Sequence, residues 1–413
     1  MGRRGRGIRV GGVVLLLALV GRSADRAGAG GTGACDRRDD VIHIVSAAEE
    51  TTVRRAPDGT ILEAGQPLSG DCAGATVDSV AGIVVTARGL LVLDTADGGF
   101  NTSAGSPVPL AVELLGGEDV LRLVGTAAGD SFRLGIDGGD LVLGDPVSPS
   151  LTGLGSVEAV ELSGGAGDDV LSVAGGGAIG PPLAIPARLE GGSGDDALSG
   201  GAGPDLFVAD PTADGADGIA GGGGRDVADY SRRSGRVELR ANVTDVSGAP
   251  GEGDTLLGIE VFLGGSGSDR LVGGGGNDLL VGRRGNDVLI GNGGADRLAG
   301  GAGSDALLGR HFEDRLVGGA GDDVLFGGAS GDELRGGAGA DRLRGEGGWD
   351  VLAGGVGLDV GNGGPGIDRC GSVERRASCE GELRPGSYAD ARRRGIPTGR
   401  GVGTATGGER WTL

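Results

Sequence analysis

Apolar and polar positions keep a strict beat over the C-terminal part of this chain. From Gly264 to Gly371 an Asp returns every ninth residue, and for most of that length a Leu follows it two places later. The segment divides without a gap into twelve nonapeptides, of which the first three read GGSGSDRLV, GGGGNDLLV and GRRGNDVLI. The sixth position is Asp in all twelve: Asp269, Asp278, Asp287, Asp296, Asp305, Asp314, Asp323, Asp332, Asp341, Asp350, Asp359 and Asp368. The eighth is Leu in the first ten, from Leu271 to Leu352. Three residues centred on the Leu fit a very short strand, with Leu inward and its two neighbours outward. The preceding six fit a tight turn, in which Gly at positions one, two and four is expected to supply positive φ at little steric cost. Two nonapeptides then make one coil of about 18 residues, with coils stacked about 4.8 Å apart.

Upstream the beat weakens. Isolated copies begin at Gly164 (GGAGDDVLS), Gly191 (GGSGDDALS), Gly200 (GGAGPDLFV) and Gly221 (GGGGRDVAD), which adds Asp169, Asp196, Asp205 and Asp226 to the sixth-position set. Residues 232–263 read as an insertion ending in an alternating lead-in strand, Ile259 to Leu263. Residues 35–163 carry short apolar runs between Gly/Asp turns, such as Ile83-Val84-Val85 and Leu90-Leu91-Val92-Leu93, and read as a β-rich region, either a separate sandwich or a degenerate solenoid. No long segment has a 3.6-residue period. The expected fold class is therefore all-β: a parallel β-roll over 264–371, scattered repeats over 164–231, and an irregular β-rich region before them. Residues 372–413, rich in Arg, Gly and Pro, read as a tail that is mostly disordered outside the part tied by Cys379.

The turns carry the chemistry. Asp side chains eighteen residues apart fall into two columns, and carboxylates stacked so closely repel one another. A hard divalent cation between successive turns removes that repulsion, and Ca²⁺ accepts carboxylate and carbonyl oxygens in 6–8 coordination. The tandem G-G-x-G-x-D-x-L-x pattern resembles the RTX (repeats-in-toxin, haemolysin-type) calcium-binding repeat family; nonapeptides of this kind are a known calcium-binding signature. The resemblance implies a right-handed parallel β-roll, an extracellular setting, Ca²⁺ as cofactor and the sixth-position Asp as ligand. Two repeats depart from it. GRHFEDRLV puts Phe312 at the fourth position, and GGASGDELR shifts that Gly to Gly331, which places Asp314 and Asp332 below the other ligands. In the last two repeats Gly361 and Cys370 replace the inward Leu, marking the end of the roll. Phe312 and Trp349 are expected to cap an end or fill a groove, with a binding surface as the alternative.

Composition agrees. The chain has 413 residues, 97 of them Gly, and a formal net charge of −21 with no Lys. Such acidity argues against nucleic acid and anionic membrane as partners and suits a collector of cations. Residues 1–29 read as a signal peptide: Arg3, Arg4, Arg6 and Arg9 precede the short apolar run Val10 to Val20, and Ala27-Gly28-Ala29 supplies small residues for cleavage. Four Cys in an exported chain favour disulfides. Of three pairings, Cys35–Cys72 and Cys370–Cys379 are favoured because each closes a loop at one end.

Enzymatic motifs are missing from the sequence. HExxH cannot arise from His43 and His311, GxSxG does not occur, and a phosphate-cradling GxxxxGK[ST] requires Lys. His43 lies in the alternating run Val41 to Val45 and reads as an outward strand residue. Paired acids such as Asp168-Asp169 read as calcium ligand or solvated turn rather than glycosidase carboxylates. The expectation is a secreted, non-enzymatic calcium-binding protein with a structural or surface role, docking to a cell surface or polysaccharide through the roll's outer face. The alternative is an extracellular enzyme, acting on polysaccharide, with a catalytic domain in 35–163.

Overall fold

The computed structural model describes residues 34–176 with gaps at interstrand segments, 181–379 without interruption, and 381–382. The expected signal peptide and residues 383–413 lie outside the described residues. Two compact units are present, Met1–Arg284 and Gly285–Leu413. No α-helix occurs among the described residues.

In the second unit successive strands alternate between two parallel sheets. One holds Val288–Asn292, Ala306–His311, Val324–Ala329, Arg342–Gly347, Val360–Asn362 and Arg375–Ala377. The other holds Arg297–Ala302, Arg315–Ala320, Glu333–Ala338, Val351–Val356, Arg369–Gly371 and Gly381–Glu382. Within the roll the register advances by two nonapeptides per coil, so that Leu307 pairs with Leu325 and Leu316 with Leu334. Every eighth-position Leu from Leu289 to Leu352 is buried. The seventh and ninth positions are mostly half-buried on the outer faces, as alternation requires.

Order continues past Gly371. Where Gly361 leaves the Leu column short of a side chain, Val373 fills the space: a Cβ on Gly361 would lie 3.0 Å from Val373 Cγ1. The Cys370–Cys379 disulfide, with Cα atoms 5.8 Å apart, ties this last coil. Phe312 and Trp349 neither cap nor fill. They project from their turns, 62% and 59% exposed.

The first unit is a less regular solenoid. One parallel ladder runs through Glu50–Arg55, Leu90–Asp94, Val120–Val124, Ala159–Ala166, Ala187–Ser193, Asp205–Val208, Val227–Asp229, Val261–Leu263 and Leu279–Arg284. A second joins Ser131–Asp137, Val170–Ser172, Ala197–Ser199, Gly218–Ala220 and Asp254–Leu257. A third joins Val41–Val45, Gly82–Ala87, Leu110–Leu114 and Leu151–Thr152. Parallel pairing thus runs unbroken from the β-rich region into the isolated repeats. Antiparallel strands sit at the margins, including Ala34–Arg38 beside Val41–Val45 and Val243–Ser247 beside Asp254–Leu257. Cys35 and Cys72 form a second disulfide, Cα atoms 5.9 Å apart. His43 lies in a strand, and His311 is exposed at the end of one.

The thin core makes each inward Leu count. Leu325→Ala should cost about 2–5 kcal/mol, whereas Val324→Ala, on the outer face, should cost well under half of that. Urea midpoints compare them; equal losses would contradict the inward-Leu packing.

Candidate metal centre

The sixth-position Asp are buried to a degree unusual for carboxylates. From Asp287 to Asp368 none exceeds 3% exposure. Their first oxygens form two ladders that run from coil to coil. In one, the Asp287 amide donates to Asp305 Oδ1 at 2.8 Å, Asp305 to Asp323 at 2.8 Å, Asp323 to Asp341 at 2.9 Å and Asp341 to Asp359 at 3.0 Å. In the other, Asp296 donates to Asp314, Asp314 to Asp332 and Asp332 to Asp350, each at 2.8 Å, and Asp350 to Asp368 at 2.9 Å.

The second oxygens point back into their own turns. A Cβ built on the first-position Gly of the nine repeats from Gly291 to Gly363 would fall 2.1–2.4 Å from the Oδ2 of that repeat's Asp. The carbonyl of the first-position Gly one coil on often closes the same space, as Gly336 O does at 2.7 Å from the same point on Gly318. Oδ2 of Asp305, Asp314, Asp323, Asp332, Asp341, Asp350 and Asp359 is fully buried and has no hydrogen-bond partner. Phe312 and Ser330 take the left-handed φ that Gly was expected to supply, +72° and +92°, and Asp314 and Asp332 stay in line with the rest.

Glycine's role divides by position. Left-handed φ occurs at positions two and four throughout this unit, while the first-position Gly has ordinary φ. The expectation that all three positions need positive φ is thus corrected: the first is Gly because a carboxylate occupies the place of its side chain.

Three turns of the first unit are built differently. Gly201, Gly265 and Gly274 amides donate to Oδ2 of Asp205, Asp269 and Asp278 at 2.6, 2.7 and 2.6 Å, so the backbone already serves the second oxygen. The turns of Asp169, Asp196 and Asp226 keep left-handed φ at both Gly positions, and Asp196 Oδ2 is buried without a partner.

Among the described residues no group of three His, Cys, Asp or Glu side chains is arranged to hold a metal ion by itself. A cation in these turns would draw on carboxylate oxygens and Gly carbonyls together, an all-oxygen set that suits a hard divalent ion. The family model described as RTX calcium-binding nonapeptide repeat (4 copies) matches residues 155–177, 188–210, 255–289, 272–307, 312–343 and 326–361. The repeats are RTX calcium-binding nonapeptides. The matches leave the first 154 residues outside them. A search of curated proteins finds no match.

The RTX ladders extend onto acids that lie outside the nonapeptide pattern. Asp169 donates to Asp196 at 2.8 Å, Asp196 to Asp217 at 3.0 Å and Asp217 to Asp254 at 3.0 Å, over separations of 27, 21 and 37 residues. Asp205 donates to Asp226, and Asp226 to Glu260 Oε2, both at 2.9 Å. Glu374 Oε2 accepts from Asp359 at 2.6 Å and ends one column of the roll. Asp217, Asp254 and Glu260 share a signal that needs no Gly: an acid, one residue, then a buried apolar side chain, here Ile219, Leu256 and Phe262.

Burial pushes the carboxyls of Asp305, Asp314, Asp323, Asp332, Asp341 and Asp350 above their ordinary value, against the hydrogen bonds that lower it. Asp314 and Asp323 rise to about 7, Asp332 to about 8 and Asp350 to about 6. Neighbouring acids add to the rise for Asp323, Asp332 and Asp350. A folded-state value above the unfolded one gives stability that is complete below the unfolded value, about 3.8, and is lost as pH climbs through 6–8. In EDTA, far-UV β signal should therefore rise as pH falls from 8.5 to 5, protons replacing the cation; a falling signal would contradict this account. Separately, Gly318→Ala should lose cation affinity because its Cβ meets Asp323 Oδ2. Gly347→Ala, with no atom nearer than 4.0 Å, should not; calcium midpoints compare the two.

Proposed function

We propose that this chain is an exported calcium-binding protein whose RTX roll folds on Ca²⁺ and serves a structural or surface-adhesive role without catalysis. One observation carries the calcium-dependent fold: a row of buried carboxylate oxygens without hydrogen-bond partners. An ionised oxygen in that state destabilises the fold, since burial without compensation is costly for a charge. A cation supplies the compensation, and binding energy becomes folding energy. Ca²⁺ suits the turns better than Mg²⁺, which needs shorter bonds, a near-octahedral shell and retained water.

Export is supported by the N-terminal basic and apolar segments and by two disulfides, which persist in oxidising surroundings. The outer faces carry Arg297, Arg315, Arg335, Arg342, Arg344 and Arg369 at seventh and ninth positions. Such a face suits a carboxylated polymer or cell surface as partner.

Calcium titration of the protein lacking residues 1–29, followed by circular dichroism, tests the reading. A cooperative gain of β signal is expected on the order of 10⁻⁴–10⁻³ M. Mg²⁺ should not reproduce it, and Asp341→Ala should move the midpoint to higher calcium. An unchanged spectrum across the titration, with no bound calcium, would overturn the proposal.

A further inference from the structure

The nonapeptide pattern lapses after Asp205, and Asp217 falls in no nonapeptide and in no matched segment. Its turn, Pro211-Thr212-Ala213-Asp214-Gly215-Ala216-Asp217, lacks the leading Gly pair. It is nevertheless built as a repeat turn. Gly215 has φ +138°, as Gly194 has one coil earlier. A Cβ on Gly215 would lie 1.9 Å from Gly194 O, just as one on Gly194 would lie 2.1 Å from Gly167 O. The Gly194 amide donates to Asp214 O, matching the bond from Gly303 to Ala320 in the roll. Gly218–Ala220 then pairs in parallel with Ala197–Ser199. Gly215-Ala216-Asp217 thus takes positions four to six of a repeat whose first half has a different sequence.

Asp196 and Asp217 are 3% and 7% exposed, and the Asp196 amide donates to Asp217 Oδ1 at 3.0 Å. Asp196 Oδ2 lies against Gly191 of its own turn, buried and without a hydrogen-bond partner. That orphaned oxygen is what sets the site apart from a mere cluster of acids.

The next step of the column is closed by the protein itself. The buried Tyr230 hydroxyl donates to Asp254 Oδ2 at 2.6 Å. Arg233 donates to Asp214 Oδ1 at 2.5 Å and to Glu252 Oε1 at 2.9 Å, and none of these three side chains is more than 4% exposed. Here a phenol and a guanidinium meet the buried acids, where the RTX turns leave an oxygen open.

We propose that Asp196 and Asp217 hold a divalent cation of the Ca²⁺ type at a site whose second turn, that of Asp217, lies outside the nonapeptide motif, and that Tyr230 and Arg233 close the column beyond it. The inference rests on the reading that Ca²⁺ enters the RTX turns, and the test separates the two. Crystals of the wild-type protein grown with Tb³⁺ in place of Ca²⁺ give an anomalous difference map. Peaks are expected in the roll, between turns such as those of Asp323 and Asp341, and also beside Asp196 and Asp217. Peaks in the roll alone would overturn the new site and leave the proposed function standing. An absence of peaks everywhere would overturn both. In native mass spectrometry, Asp217→Asn should carry about one ion fewer than wild type, as should the roll control Asp341→Asn. If Asp341→Asn loses an ion and a folded Asp217→Asn does not, the site is refuted.

Discussion

A carboxylate that is half-satisfied and wholly buried organises this molecule. Along the roll, from Asp305 to Asp368, one oxygen of each sixth-position Asp receives the amide of the Asp one coil earlier, which locks successive turns in register. In the roll, from Asp305 to Asp359, the other oxygen is sealed inside its own turn with no donor in reach. A buried polar atom left unmade costs about 1–3 kcal/mol, and more when charged. Repetition down a column adds like-charge repulsion. The roll therefore contains its own demand for positive charge, which protons at low pH or the proposed metal at neutral pH would meet. The Leu column is too thin to meet that cost by burial alone, because each coil adds only two inward apolar side chains.

The turn's composition follows from the same constraint. The first-position Gly leaves room for the carboxylate, and replacing it would push a methyl into Oδ2. Positions two and four require left-handed φ, and an ideal Cβ on Gly319 or Gly321 would also lie 2.1 Å from a carbonyl of the coil before; other residues adopt that φ at a modest cost when their side chains reach solvent. Arg283, Asn292, Arg310 and Glu346 do so at the second position, Phe312 and Ser330 at the fourth. This explains why the two most deviant repeats still deliver Asp314 and Asp332 to the column. The first position stays Gly throughout because its constraint is contact with a neighbour rather than backbone preference.

The sequence made the roll legible because Asp and Leu hold a fixed phase, and phase survives even where Gly does not. Its end at Gly371 was blurred: Val373 and Glu374 replace a Leu and an Asp with residues of another type at another spacing. Upstream, the strands keep parallel register while the turns change length, so a search at multiples of nine finds Asp196 and passes over Asp217 and Asp254. The acid-x-apolar triplet is the part of the motif that strand geometry itself imposes, and it marks those positions without any fixed period. The second-oxygen bonds of Asp205, Asp269 and Asp278 were invisible for a different reason. Their repeats read as well as any other, and only the φ values of the turn decide whether a Gly amide turns toward the carboxylate.

A column of buried acids also needs somewhere to stop. In a roll whose coils are held by charge neutralisation, the last carboxylate would face the same deficit as the rest. Two different endings occur. In the second unit Glu374 accepts the amide of Asp359, the last Asp of its column, and its longer side chain is exposed, so water can share its charge. In the first unit one ending is buried, and the chain brings in a hydroxyl and a guanidinium, Tyr230 and Arg233, from the junction where the insertion begins. A donor fixed in the chain cannot be titrated away by a chelator. The acids it meets are held whether or not calcium is present, which makes Asp254 and its neighbours the natural place for order to begin and the open turns the natural place for it to depend on metal.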